Sequence, residues 1–126
     1  MLSKNKNLKI LKVVADGTKL PLKTVISNVA IVNSLLHHVS YKKLITVLEE
    51  CYRILSQNGT FFIVESAAIQ KFSAKLFRLI ERVFVGKTYF IPPDSLKSDL
   101  RTIGFKKIEK IFPEKHDWKY AIKAIK

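Results

Sequence analysis

Residues 25–32, Val-Ile-Ser-Asn-Val-Ala-Ile-Val, restrict this chain more than any other stretch. They are near-continuous in apolar, mostly β-branched side chains. That chemistry over that length suits a central parallel strand covered on both faces. It does not suit a membrane span. Even prolonged to Leu36 the run is too short to cross a bilayer, and it contains Ser27, Asn28, Asn33 and Ser34. A strand of this kind needs neighbouring strands and covering helices, so the expectation is an α/β sheet.

The flanking sequence supplies them. Residues 8–15 (LKILKVVA) read as a strand ending at Asp16-Gly17, and a short connection with Pro21 leads to the apolar run. Ser40 is placed to cap a helix over residues 41–56. Leu44, Leu48, Cys51, Tyr52 and Leu55 recur there at helical spacing, with Lys42, Lys43, Glu49, Glu50 and Arg53 on the other faces. Asn58-Gly59 is expected to end that helix, and residues 60–65 (TFFIVE) to form a buried strand. A second amphipathic helix carries Ile69, Phe72, Leu76, Ile80 and Val83, and Gly86 and Pro92-Pro93 break it. A third spans about residues 95–103 and stops at Gly104. Residues 105–112 and 118–125 read as strands joined by a turn at 113–117, a connection short enough to demand antiparallel pairing. The whole of residues 1–126 is expected to form one domain.

Composition removes several classes. One cysteine, Cys51, excludes an intramolecular disulfide framework and fits a reducing interior. Residues 1–9 are polar and lysine-rich and lack the apolar core of a signal peptide, so a cytoplasmic location is expected. The net charge of +13 invites a nucleic-acid reading. Its cations, however, are nearly all lysines spread along the chain, with arginine only at Arg53, Arg78, Arg82 and Arg101. No zinc-finger spacing or aromatic RNA-binding signature accompanies them. A solvated surface with a general preference for anions is the better account.

Two stretches carry a family resemblance. Ala15-Asp16-Gly17-Thr18-Lys19-Leu20-Pro21-Leu22 precedes a strand and then Leu36-His37-His38-Val39. Further on, Tyr52-Arg53-Ile54-Leu55 and Asn58-Gly59 precede a strand ending Ile63-Val64-Glu65. With the Gly104-Phe105 junction, these resemble, in order and spacing, the small-molecule class I methyltransferases of type 11, over residues 8–126. The resemblance implies a partial Rossmann-like methyltransferase sheet, mostly parallel with a C-terminal antiparallel hairpin, with helices on its faces. It also implies methyl transfer from S-adenosylmethionine to a small-molecule acceptor.

Asp16 then accepts a hydrogen bond from the adenine amino group, Gly17 offers its N–H to the ring, and Asn33 and Ser34 approach the methionine portion. The residues alone also allow Asp16-Gly17 to be a simple turn opener. His38 is the candidate to take a proton from the acceptor, although a histidine of such a pair also packs or caps a helix. Glu65 either faces the acceptor pocket or ends its strand in solvent.

The sequence departs from the family at Ser27-Asn28, where Phe-Asp is usual, and at Gln57-Asn58, where Pro-Gly is usual. A larger departure is the glycine-rich loop and the ribose-holding acid. The only glycines are Gly17, Gly59, Gly86 and Gly104, and none forms such a loop. A truncated, split or incompletely predicted gene is the expectation. The strand at 25–32 would then have a bare edge, to be covered by residues 8–15, by a second copy, or by a companion chain carrying the missing half. Two other classes stand beside the enzyme: a non-enzymatic remnant or partner subunit of this fold, and a lysine-rich nucleic-acid binder.

Overall fold

The computed structural model describes residues 11–66, 89, 91–111 and 119–126. β1 (Ser27–Asn33) leads through a 3-10 turn (Leu36–His38) into α1 (Tyr41–Ile54) and β2 (Leu55–Ser66). α2 (Pro93–Ile103), β3 (Lys106–Lys110) and β4 (Lys119–Ile125) follow. The four strands form one mixed sheet in the order β1-β2-β4-β3. β1 and β2 are parallel, with Val29 beside Thr60 and Asn33 beside Val64. β4 is antiparallel to β2 and to β3, so three strands point one way and β4 alone runs against them. The expected parallel pair and antiparallel finish are both present, and β4 inserts between β2 and β3.

One face of the sheet is the core. Ala30, Val32, Phe61, Ile63, Tyr120, Ile122 and Ala124 are buried in one cluster with Leu44, Leu48 and Cys51 of α1 and Leu96 and Leu100 of α2. The stripe at 44, 48 and 51 is therefore the buried face of α1, joined by Val47 and Ile54. α2 begins as its sequence directs, with Pro93 in the first turn, where a missing N–H costs nothing. It ends at Gly104, whose φ of 120° is open to glycine but strained for other residues.

Several expectations are corrected. α1 stops at Ile54 and passes directly into β2, so Asn58-Gly59 does not end the helix. Instead Asn58, at φ 62°, lies at an irregularity of β2 and donates its N–H to the Lys126 carbonyl, while Lys126 N–H donates to Gly59 O. A Cβ at Gly59 would lie 2.8 Å from Ser56 O and 3.3 Å from Asn28 O, so close backbone approach explains the glycine. The end of α1 is covered by Lys126, whose Nζ donates to Tyr52 O (2.7 Å) and Leu55 O (2.8 Å). Ser40 occupies the N-cap position, but only its carbonyl contributes, accepting from Leu44 N–H.

Residues 11–15 are irregular rather than a strand, and Leu11, Val13 and Val14 are exposed. Apolar, β-branched character alone does not make a strand: residues 11–15 pair with none of the described strands. Nor is the apolar run covered on both faces. β1 lies at the edge of the sheet, with Val29 50% and Ile31 67% exposed. The strand begins two residues later than expected because Val25, at φ 57°, turns the chain where its N–H meets Arg53 O. The helix expected over 69–83, the turn at 113–117 and residues 8–10 lie outside the described residues.

Candidate functional site

The carboxyl ends of β1 and β2 lie side by side, and the groups gathered there come from three segments. β1 ends at Asn33, which is exposed. Ser34 follows in the left-handed region, at φ 52°, and turns the chain away from the sheet. Its N–H is held by Val64 O at 2.8 Å and its hydroxyl donates to Asn33 Oδ1 at 3.2 Å. A non-glycine residue persists in that conformation only where its surroundings fix it.

Glu65, 1% exposed at the end of β2, does the fixing. Its Oε1 accepts from Leu35 N–H (3.0 Å) and Leu36 N–H (2.7 Å), and its Oε2 meets His37 Nδ1 at 2.6 Å. A carboxylate only accepts, so His37 carries its proton on Nδ1 and leaves Nε2 for other chemistry. Tyr89 N–H donates to His37 O and secures the same turn from outside. Below it, Tyr120 donates to Ile91 O. Burial, and then the nearby Glu65 charge, push the Tyr120 hydroxyl well above its ordinary value.

Asp16 and Gly17 stand beside this turn. A Cβ on Gly17 would lie 3.4 Å from Val47 Cγ2 and 4.0 Å from Leu35 Cδ2, which places the pair against α1 and the segment after β1. Asp16 Oδ1 accepts from Thr18 N–H (2.9 Å) and Thr18 Oγ1 (2.8 Å). Those bonds hold its carboxyl below the ordinary 3.8. The turn-opening role is thus real, and it leaves Oδ2 as an ionised, exposed acceptor. The connection behind it is tied to α1: Glu50 Oε2 accepts from Leu20 N–H, while Arg53 donates to Glu50, Leu20 O and Leu22 O.

Gly17 thus adjoins Leu35, directly after Asn33 and Ser34 at the carboxyl end of β1. His38 is exposed and rests on His37, their ring centroids 4.0 Å apart. The carboxylate orients His37 and not His38. Glu65 does not end in solvent; it is a buried acceptor that shapes the turn. Sequence reasoning passed over that role, although an acid closing a buried strand near a histidine pair was its available signal. A separate cleft of about 410 Å³ lies between α1 and α2, lined by Tyr41, Ile45, Glu49, Tyr52, Asp99, Thr102 and Ile103, and none of these candidates borders it. Among the described residues no helix is long and apolar enough to cross a membrane.

The sequence pattern of the methyltransferase domain of type 11 matches residues 1–63, half of the chain. The chain belongs to this methyltransferase family. No curated protein matches it in sequence. Solved structures agree on the fold. A SAM-dependent methyltransferase of Archaeoglobus fulgidus superposes with a TM-score of 0.72 at 16% identity, over 90% of this chain and 66% of that one. One from Thermotoga maritima gives 0.66 at 19% identity, over 87% and 61%. Human N-acetylserotonin methyltransferase, solved in complex with SAM, gives 0.65 at 20% identity, over 89% of this chain and 32% of that one. This methyltransferase-fold chain thus spans less than two thirds of the first two structures.

Proposed function

We propose that this chain supplies the adenine-side and methionine-side walls of an S-adenosylmethionine site for methyl transfer to a small-molecule acceptor. One observation carries the reading: the Glu65 clamp holds the Asn33–Ser34 turn at the carboxyl ends of two parallel strands, beside the ionised, exposed Asp16. Ligands of open α/β sheets bind at that end of the strands. The residues fit part of the cofactor. Asp16 Oδ2 is an acceptor for an exocyclic amino group, Gly17 permits close approach of a ring, and Asn33 and Ser34 offer short polar side chains. When bound, the cofactor supplies an activated methyl group, so alignment of the acceptor does most of the remaining work. Where the acceptor is a hydroxyl, His37 Nε2, oriented through Nδ1 by Glu65, is the better base than His38.

Half a site binds weakly. No glycine-rich loop exists in the sequence, and no group among the described residues is placed to hold the ribose. Titration of the purified chain followed by amide chemical shifts tests this. Weak binding with shifts concentrated at Gly17, Asn33, Ser34 and Leu35, reduced in Asp16→Ala, is the expected outcome. Micromolar affinity by calorimetry would overturn the half-site reading, and shifts located elsewhere would overturn the assignment of these walls.

A further inference from the structure

The two edges of the sheet are built differently. β3 is Lys-Lys-Ile-Glu-Lys, with Lys106, Lys107 and Lys110 exposed. Its pairing with β4 shifts between Lys106 and Glu109, and Lys107 has a φ of 46°. Charges and bulges of this kind keep a free edge from pairing. β1 carries no charge, and its register shift is confined to its start, between Ser27 and Val29. Residues 24–41 contain no Asp, Glu, Lys or Arg in a chain that has 33 of them, and the register from Val29 to Asn33 is unbroken. Because Ser34 N–H points to Val64 on β2, strand alternation turns the N–H and C=O of Asn33, Ile31 and Val29 to the free side. Ser27 Oγ donates to Val29 O, which still has a second lone pair.

We propose that this edge pairs antiparallel with β1 of a second copy of the chain, about a two-fold axis at Ala30. A two-fold interface apposes the same element from each copy, so the strand must be complementary to itself. It is. With Ala30 at the axis, Val29 of each copy lies opposite Ile31 of the other, and Ser27 opposite Asn33. The outward backbone groups of Val29 and Ile31 meet in register, and their side chains, 50% and 67% exposed in the single chain, join on one face. No charge meets a charge within the paired strands. The net +13 of each copy acts only from a distance, where salt screens it over about 8–10 Å. Residues 11–15 are irregular and exposed, and among the described residues no strand pairs with this edge. The proposal does not depend on cofactor binding.

Sedimentation combined with amide hydrogen exchange on the whole chain tests it. The expected result is a dimer with slow exchange at Val29 and Ile31. Ile31→Lys should weaken dimerisation by at least about tenfold and speed those amides. Ile111→Lys, the same change beside the β3 edge at a position 45% exposed, should alter neither. A monomer overturns the proposal, whether its Val29 and Ile31 amides exchange fast (a bare edge) or slowly (cover from within the chain). A dimer indifferent to Ile31→Lys places the interface elsewhere and overturns it too. Circular dichroism verifies that the variants fold, and the wild-type exchange pattern decides the matter even if Ile31→Lys does not.

Discussion

Glu65 shows how a buried charge specifies a local shape. Burying a carboxylate is costly unless its lone pairs are used. Here two backbone N–H groups and an imidazole use them. Removing the acceptor leaves the buried Leu36 N–H without its partner, at roughly 1–3 kcal/mol, and the part-buried Leu35 N–H at a smaller cost. Glu65→Ala should therefore lower stability in urea by about 2 kcal/mol or more. Glu65→Gln keeps one acceptor oxygen and should cost less, while turning an amide toward His37 Nδ1 and disturbing its tautomer. His38→Ala, at an exposed position, should change stability little. Equal losses for Glu65→Ala and His38→Ala would show that the turn is not held through Glu65. Imidazole nitrogen shifts would report the tautomer of His37 directly.

At the scale of elements, the connection between Asp16 and β1 has no regular structure and takes its position from the Glu50–Arg53 pair on α1. Glu50 is held at about 2, below its ordinary 4.5, by the Arg53 hydrogen bond first and then by Leu20 N–H. A carboxyl group depressed in this way stabilises the fold above its unfolded value and loses that contribution as pH falls through the folded one. The connection should thus be firmly docked above pH ~4.5 and should loosen progressively toward pH ~2. Glu50→Gln should flatten this acid-side slope; an unchanged slope in that variant would assign the acid sensitivity to other groups.

Elements set by local signals were legible in the sequence, and those set by distant partners were not. Helical spacing at Leu44, Leu48 and Cys51 exposed the buried stripe of α1, and β-branched runs located β1 and β2, because periodicity and burial are both local signals. The fate of residues 11–15 was not local. Their apolar character suits a strand, but only pairing with a distant segment could have made them one. Likewise Asn58-Gly59 reads as a helix end, and only the distant Lys126 backbone reveals it as an irregularity in β2. Motif order points to Asp16, Gly17, Asn33 and Ser34, whereas the contact of Glu65 with His37 joins residues 28 apart in sequence and leaves no local signal.

For the molecule as a whole, the question is whether sheet and helices open together. Cys51 is placed to report it. It sits 5% exposed in a cluster that draws on α1, α2 and residues from β1, β2 and β4. Burial, with a smaller contribution from Glu50, pushes its thiol up to about 12. The thiolate is the reactive form, so the native thiol is protected by both access and protonation. Exposing it requires lifting α1 from the sheet, which empties the positions of Leu44, Val47 and Leu48 as well and removes the cover from Phe61 and Ile63. Such an opening leaves little of the described core behind, so the described sheet and helices should unfold as one cooperative unit. Alkylation of native Cys51 should then be roughly a thousandfold or more slower than in the unfolded chain. Its free energy should fall with urea along the same slope as global unfolding, about 1–3 kcal/mol per molar. A shallow slope would show that α1 detaches locally while the strands stay paired. In that event the Glu50–Arg53 tether, and the Asp16–Gly17 turn that depends on it, would come and go with the helix rather than with the fold.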